Sequence, residues 1–529
     1  MMSVASVWRP GALLGWVAIL AIVSVTAAPV AVLAWSVLDP ATEVWADLWR
    51  TRLPGMIAET ALLLGAVVAA TVLVGTGLAW LVSAYAFPGR RLLGWLLVTP
   101  LAIPGYVGGF VWLDTLSGVV GARSVRSLWL CAVVLTMSLY PYVYLFARAS
   151  FAGLGAAPVA AARSLGAGPL GVFWRVAVPS ARPAIAAGAA LVAMEVLTDI
   201  GTVRLFNVST LADGVMRVWF GSGDRNAATE VATALTGVAL LVVAVERLTR
   251  RGARHSRNVA GPVLSPQDLS PTRALAAIST GVVVIALTVV VPITRLVTWT
   301  IDAARRDQAA TVAGGVGHHL GSSLVLASIA AAVCIVTGTM LALVVVHRGR
   351  LARVVGRLAT LGYAMPGPVV AVGVVVTLAA IDRRRWLPDD FILVGSLLGL
   401  VLALVVRFLA VAFQGAEAGL DKIPRHAVDS ARVLGAGPAR VVLRVEVPAV
   451  RFGLVAAVAL LFVDMMKELP ITLLLRPFGV DTLSVWVWQA TSESLWAQAA
   501  VPSLVMVGIG MAAVGALLVA LERGAEVVS

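Results

Sequence analysis

Charge is scarce in this sequence. Charged residues make up 13% of the 529 residues and hydrophobic residues 60%, whereas a soluble domain is about 25% charged. Cysteine is rarer still, with Cys131 and Cys334 as the two cysteines of the chain. They stand alone in separate apolar stretches, and this pattern indicates neither a disulfide framework nor a metal site. Several apolar runs exceed the roughly 20 residues that cross a bilayer. The composition therefore predicts an all-α polytopic membrane protein.

Lysine is nearly absent, since Lys422 and Lys467 are the two lysines of the chain. The net charge of +13 therefore comes from arginines. These lie mostly in loops between apolar runs, as the positive-inside rule expects, so no nucleic-acid partner is predicted. The arginine-rich loops outweigh one exception, residues 382–386, and place both termini in the cytoplasm. We expect a multi-pass protein of the bacterial plasma membrane.

Twelve spans are predicted, in two sets of six. The first run is too long for a signal peptide and is interpreted as a retained span. Between the sets lies a polar, basic segment rich in Pro, Gly and Ser, which indicates a solvated linker. We assign residues 1–248 to a first half, 249–273 to a cytoplasmic linker and 274–529 to a second half. The predicted spans are 11–38, 57–85, 91–113, 127–152, 181–202, 228–247, 274–300, 320–346, 353–381, 391–416, 450–473 and 497–521.

The two halves repeat each other in sequence. "AARSLGAGPLGVFWRVAVPSARP" (161–183) reappears as "DSARVLGAGPARVVLRVEVPAVR" (429–451), and Gly166 matches Gly435 at an offset of 269 residues. The pairs "GTGLA" and "GTMLA", "AIPG" and "AMPG", and "RLFNVSTL" and "RPFGVDTL" follow the same order. The repeat predicts about 12 transmembrane helices as two fused six-helix repeats in the same orientation.

Each copy of the long segment predicts a short amphipathic helix outside the membrane. In the second copy, apolar residues share one face and charged residues another, and Gly435 ends the helix. Such a helix suits a groove on a cytoplasmic partner. The alternative is an ordinary interfacial helix that rests on lipid headgroups. Two copies, each placed before the fifth span of its half, favour a partner with two-fold symmetry.

The doubled segment resembles the EAA coupling loop of type I ABC-transporter permeases. Residues 194–211 and 467–485 are similar to the fused double-length permeases of ferric-iron uptake. The resemblance implies the type I ABC permease fold, with coupling loops at 155–183 and 421–451. The family's glutamate is replaced by Asp429 in one copy and Ala160 in the other, so unequal coupling is expected. The residues carried over as coupling residues are Arg163, Leu165, Gly166, Pro179, Asp429, Arg432, Leu434, Gly435 and Pro448.

The resemblance also implies a function and partners. The chain would be the permease of an importer, most simply one for ferric iron. Its partners would be an ABC ATPase dimer on the cytoplasmic side, an extracytoplasmic substrate-binding protein and membrane lipid. Thiamine, phosphonate, polyamine or another small solute is the alternative cargo.

Motifs of catalysis are missing. The sequence has no phosphate-binding loop, no H-E-x-x-H, no G-x-S-x-G and no Cys/His cluster with metal spacing. We therefore expect no enzyme activity, no catalytic residue and no cofactor in this chain, with ATP and Mg on the partner ATPase. A polytopic membrane enzyme and a secondary transporter are the less favoured alternatives. The transporter would show broken helices with charges near the midplane.

Four carboxylates occupy matching positions in the two halves. Glu195 and Asp199 end the fifth span, and Asp464 and Glu468 follow at the same offset of 269. Carboxylates at membrane depth are costly and usually face an aqueous path or a partner. They are either oxygen ligands on the path of a cation or braces of an outer gate.

The brace interpretation needs counter-ions, for which Arg204, Arg476 and Lys467 are the candidates. No tyrosine or histidine cluster flanks the carboxylates in sequence. His318 and His319 fall in a predicted outer loop, where an adjacent pair is typical of a solvated surface. No metal ligand set is therefore assigned, and the counter-ions are placed with the carboxylates on the translocation path or gate.

Overall fold

Most of the described chain is helical. A computed structural model describes residues 10–36, 42–221, 225–250, 264–305, 309–384, 388, 392–421, 423 and 425–526. The helices of the first half are α1 (Pro10–Ser36), α2 (Thr42–Thr51), α3 (Leu53–Ala84), α4 (Arg90–Leu96), α5 (Gly105–Val120), α6 (Ala122–Val125), α7 (Leu128–Ala152), α8 (Ala156–Ser164), α9 (Pro169–Val172), α10 (Val178–Thr198), α11 (Gly201–Leu205), α12 (Leu211–Gly221) and α13 (Arg225–Arg250).

The second half continues with α14 (Pro271–Ile285), α15 (Val291–Arg305), α16 (Ala309–Ala359), α17 (Gly367–Arg383), α18 (Leu397–Leu420), α19 (Arg425–Val433), α20 (Pro438–Val441), α21 (Val447–Met466), α22 (Pro470–Leu475), α23 (Leu483–Ser492) and α24 (Trp496–Glu526). Among the described residues, eight helices are long and apolar enough to cross a membrane, and two bent pairs raise the number to ten. The all-α polytopic fold class is therefore confirmed.

The repeat extends to individual hydrogen bonds. The backbone N–H of Leu211 donates to the hydroxyl of Thr60 at 2.9 Å, and the N–H of Leu483 donates to the hydroxyl of Ser323 at 2.8 Å. The first bond ties α12 to α3, and the second ties α23 to α16 at the matching place of the other half. The repeated letters therefore correspond to a repeated structure.

The two halves are interleaved in space. α1 packs on α16 and α17 of the other half. Phe110 of α5 stacks with Trp299 and Trp496 of the second half, at ring-centroid distances of 5.6 and 5.8 Å. Burial of such large rings stabilises the contact between the halves by roughly 1.5–3 kcal/mol per ring. The boundaries of the two halves at residues 248 and 273 stay predictions.

The spans predicted through the "AIPG" and "AMPG" segments are not continuous helices. The first half bends by 90° between Arg90–Ala102 and Gly105–Val119. In the second half, Met365 is extended, with φ −107° and ψ 136°, between a 3-10 turn and α17. The residue before a proline is driven out of the helical region by the proline ring. The proline of each segment therefore ends one helix and starts the next.

The separate spans predicted at 320–346 and 353–381 were also wrong at their junction. α16 continues unbroken from Ala309 to Ala359. At the matching place in the first half, residues 85–89 separate α3 from α4; they include Pro88 and Gly89, and Gly89 has φ +77°. The second half has "HRGR" there, without a proline, so no residue forces the helix to end.

The linker is more than a solvated tether at its second end. Tyr85–Ala86 (β1) pairs in parallel with Gln267–Asp268 (β2). The N–H of Leu264 donates to the carbonyl of Leu154 at 2.9 Å, directly before α8. We call residues 264–269 the strap. Residues 251–263 of the linker lie outside the described residues.

A split chain tests the strap. Two co-expressed fragments separated after Pro262 keep the strap on the second fragment, where it can rejoin β1 and Leu154. We expect partial uptake from this pair. Uptake should fall at least severalfold further when 264–269 is replaced by Gly and Ser, because the backbone pairing loses its side-chain packing. Co-purification and ferric citrate uptake measure both effects, and equal uptake by the two pairs would show that the strap is a passive connection.

Candidate translocation site and coupling loops

The four matching carboxylates line one cavity. Its volume is about 90 Å³, room for a few water molecules. The cavity lies where α10 and α21 end and where the prolines of the two broken segments turn the chain. Its charged lining residues are Glu195, Asp199, Asp464, Glu468, Arg407 and Lys467. The structure therefore brings together, from both halves, the acids that the sequence aligned.

Two of these carboxylates cap short helices. Asp199 accepts hydrogen bonds from the N–H of Thr202 and Val203 at 2.8 and 3.2 Å, and from the Thr202 hydroxyl at 2.8 Å. Glu468 accepts from the N–H of Ile471 at 3.1 Å. The spans predicted to run through 202 and 473 are thus broken at these acids, since each side chain satisfies amides at the start of a new helix.

The other two carboxylates are not helix caps. Asp464 Oδ1 lies 2.9 Å from Lys467 Nζ, and this ammonium is also 3.4 Å from the hydroxyl of Tyr142. Glu195 is partly exposed to the cavity and interacts electrostatically with Lys467. An incoming cation would therefore meet Asp464 and Glu195 as the two acids that are not engaged in capping a helix.

Arg407 was missed by the sequence analysis. It is 8% exposed, its Nη1 lies 3.6 Å from Glu468 Oε2, and its Nη2 donates to the Thr198 hydroxyl at 3.4 Å. A signal for it exists, because a lone arginine in the apolar helix α18 is costly without a partner. The partner could not be named, since Glu468 lies far along the chain.

The glycines of "AIPG" and "AMPG" allow the backbone to pack closely against the charged groups of this site. A Cβ added at Gly105 would lie 3.3 Å from Asp199 Oδ2. A Cβ added at Gly367 would lie 2.0 Å from Arg407 Nη1 and 3.2 Å from Glu468 Oε1. Glycine lets the turned backbone approach the charged groups closely. The doubled motif was therefore a second signal for the site.

Two of the proposed counter-ions belong elsewhere. Arg204 pairs with the buried Asp213, and Arg476 pairs with Asp481. The hypothesis that these arginines brace the four carboxylates was wrong in its partners, because each arginine has a nearer acid within its own half. Lys467 is the candidate counter-ion that the structure places in the cavity.

Tyrosines approach the carboxylates although none flanks them in sequence. Tyr106 and Tyr142 line the cavity, brought there by α5 and α7. Within the described ranges, no group of three His, Cys, Asp or Glu side chains is close enough to hold a metal ion. His319 stacks on Trp486 at 4.7 Å, and His318 lies 3.4 Å from the carbonyl of Gly479. His319 is thus packed on α23, whereas His318 is exposed, and both lie in α16 rather than in the predicted outer loop.

The predicted amphipathic helices of the coupling loops are α8 and α19. Both end at a left-handed glycine, Gly166 with φ +82° and Gly435 with φ +83°. A chain segment then leads through a π-helical turn into α10 or α21, where Pro179 and Pro448 stand in the first turn. Proline suits this position because the first turn needs no N–H donor.

Both loops present unburied apolar side chains. Leu165 is 88% exposed and Leu434 is 86% exposed, and Val433 beside it is 87% exposed. Arg163, Arg432 and Asp429 are exposed as well. Apolar residues at the tip of a helix, left uncovered by the part of the chain that the structure describes, are typical of an interaction surface. The roles of the coupling residues stay predictions.

The second loop has an anchor that the first lacks. Glu446 is 2% exposed and lies 2.9 Å from His347 of α16. At the matching positions the first half has Ala177 and Ala84, both buried. A buried carboxylate requires a partner, so the second loop is tied to the helix bundle by an ion pair, whereas the first has two buried alanines at these positions.

Comparison with known proteins agrees with these features. Residues 334–524 match the model of the family described as binding-protein-dependent transport system inner membrane component. Over 87% of its length the chain is 27% identical to an Fe(3+)-transport system permease protein of Haemophilus influenzae, of which it covers 88%. It is also 33% identical, over 30% of its length, to a sulfate transport system permease protein of Salmonella typhimurium, of which it covers 62%.

A molybdenum transport system permease protein of Escherichia coli is 30% identical over 25% of this chain, which covers 62% of that protein. Broken helices beside buried charges, expected of a secondary transporter, occur here too, so that criterion does not separate the alternatives. The family match does. The resemblance found in the doubled segment is confirmed: residues 334–524 match the family of binding-protein-dependent import permeases, and over 87% of its length the chain is similar to an iron permease.

Proposed function

We propose that this permease imports ferric iron delivered by an extracytoplasmic binding protein, with alternating access driven by a separate ATPase dimer. The observation that carries the cargo is the extent of the likeness. The similarity to the Fe(3+) permease spans 87% of this chain and both halves, whereas the likeness to the sulfate and molybdenum permeases spans 30% and 25%.

The charge of the cavity supports a cation. Four carboxylates face two cationic side chains there, which leaves a formal charge of −2 when all are ionised. Ferric ion is a hard cation, and carboxylate and phenol oxygens are ligands of the kind it prefers. An oxyanion such as sulfate or molybdate is the second candidate, because Arg407 and Lys467 could hold one. The surplus of acids opposes it.

The partners follow from the same proposal. The ATPase dimer, with its ATP and Mg, would bind α8 and α19. Both helices carry an exposed leucine, and both fall in loops that are predicted on the same side of the membrane. That side, with both termini, is the cytoplasmic one under the positive-inside rule. The binding protein docks opposite. The permease itself carries no catalytic residue in this scheme and is surrounded by lipid.

Uptake by a deletion strain and its complemented counterpart tests the cargo. We expect the complemented strain to recover uptake of radiolabelled ferric citrate at least tenfold over the deletion strain, and to gain no uptake of sulfate, molybdate, thiamine or a phosphonate. The control is the same strain carrying the permease without its ATPase. Restored sulfate or molybdate uptake without iron uptake would overturn the proposal.

A further inference from the structure

Lys467 places a positive charge inside the cavity. Its Nζ lies 2.9 Å from Asp464 Oδ1 and 3.4 Å from the hydroxyl of Tyr142, which belongs to the other half. Glu195, also of the other half, lines the same cavity as this ammonium. One primary ammonium therefore sits among oxygen groups of both halves, as a bound cation would.

The repeat shows that this lysine is an addition. The offset of 269 that matches the carboxylates pairs Lys467 with Thr198. Thr198 donates to the carbonyl of Met194 at 2.9 Å and carries no charge. The backbone of α10 ends at that position without a lysine, so the fold does not require one there.

Lys467 is the close charge partner of Asp464. Asp464 is 8% exposed, and within the described residues its Oδ1 makes no contact with hydrogen-bond geometry, although the Lys467 ammonium is near. Asp199, by contrast, accepts three hydrogen bonds. A buried carboxylate without such donors needs a cation beside it, because an uncompensated buried charge is costly. Asp464 is thus suited to exchange one cation for another.

From this geometry we propose that Lys467 is a tethered competitor, which holds the cation site at Asp464, Tyr142 and Glu195 in the resting state and is displaced by the transported cation. The proposal rests on the proposed function only in that the cargo is a cation. A resident ammonium keeps the acids neutralised when the site is empty. It also returns after each passage and lowers the affinity of the site, so that the cargo can leave.

Terbium(III) binding to the purified permease tests this. Terbium is a hard trivalent cation, and nearby tyrosine rings sensitise its luminescence, so Tyr106 and Tyr142 report on this cavity. We expect Lys467→Met to bind terbium about tenfold more tightly or better, because a like charge a few ångströms away has gone. Lys467→Arg keeps the charge and is the matched control, with wild-type affinity expected.

Two further variants keep the test decisive if Lys467→Met is poorly folded. Thr198→Lys adds a second ammonium at the matching position of the first half and should weaken terbium binding severalfold. Adding Asp464→Asn to Lys467→Met should remove the gain in affinity. Equal affinity in wild type, Lys467→Met and Thr198→Lys would overturn the proposal, as would molybdate that binds wild type and is lost in Lys467→Met.

The result is separable from the cargo experiment. Terbium binding needs neither iron nor the partner subunits. Tighter binding in Lys467→Met together with absent ferric uptake would reject iron as cargo and keep Lys467 as competitor. Ferric uptake in wild type with unchanged terbium affinity in Lys467→Met would keep iron as the cargo and reject Lys467 as a competitor.

Discussion

Replacing Arg407 with glutamine is expected to abolish most uptake and to lower the thermal stability of the purified permease. Arg407 is buried and pairs with Glu468, which is 5% exposed. Removal of one partner leaves an uncompensated buried carboxylate, which typically costs about 3–5 kcal/mol. The same glutamate caps α22 through the N–H of Ile471, so its displacement would also disturb the turn beside the cavity.

A double-mutant comparison separates a brace from a cation path. If Arg407 and Glu468 brace the gate, Glu468→Gln combined with Arg407→Gln should recover part of the stability and uptake that each single change removes. If Glu468 instead binds the transported cation, the losses in uptake should add. Basal ATP hydrolysis, measured on the assembled transporter, should rise in the single variants only under the brace interpretation, since a loosened gate no longer holds one state.

Arg476→Gln is the matched control for this comparison. Arg476 lies in the same half, at the end of α22, but pairs with Asp481 rather than Glu468. We expect it to cost less than about 1 kcal/mol, as for a partly exposed ion pair. Uptake and melting temperature of all variants are compared at equal amounts in the membrane. A loss from Arg476→Gln as large as that from Arg407→Gln would contradict the assignment.

The repeat made much of this architecture predictable. The offset between Gly166 and Gly435 located both coupling helices and both left-handed glycines, because a glycine that ends an amphipathic pattern is a local signal. The four carboxylates were aligned by the same offset. An alignment of the two halves does not show which residues are close in space. A partner for Glu468 was therefore predicted among its neighbours in sequence, whereas its partner is Arg407, 61 positions away in α18.

Helix continuity was the part that hydropathy could not supply. Apolar content is the same on both sides of a break, so a span was drawn through Pro104 and another through Pro366. Breaks depend on single residues: a proline that removes an N–H, or a carboxylate such as Asp199 that satisfies the amides of the next helix. The repeated "PG" pairs indicate the breaks, and an analysis of single residues, rather than of hydropathy averaged over a window, would have located them.

The coupling loops provide the second large effect, because Gly435 is held in a conformation that other residues resist. Its φ is +83°, yet no atom lies within 4 Å of the position a Cβ would take. Substitution is therefore limited by the backbone and not by space. An L-residue in this region costs roughly 1–2 kcal/mol, and Asn and Asp tolerate it best. A strained turn would swing α19 and the exposed Leu434 away from their place.

Transport should accordingly fall in the order Gly, Asn, Ala, Val at position 435, with Val retaining about a tenth of the wild-type rate or less, while the amount in the membrane stays constant. The same series at Gly166, with φ +82°, is the internal comparison. We expect it to be milder, because the first loop lacks the acid at the position of Asp429. ATPase co-purification and ferric citrate uptake measure the effect. If Ala at 435 transported better than Asn, side-chain size at the partner's surface would govern the loop, and the backbone argument would fail.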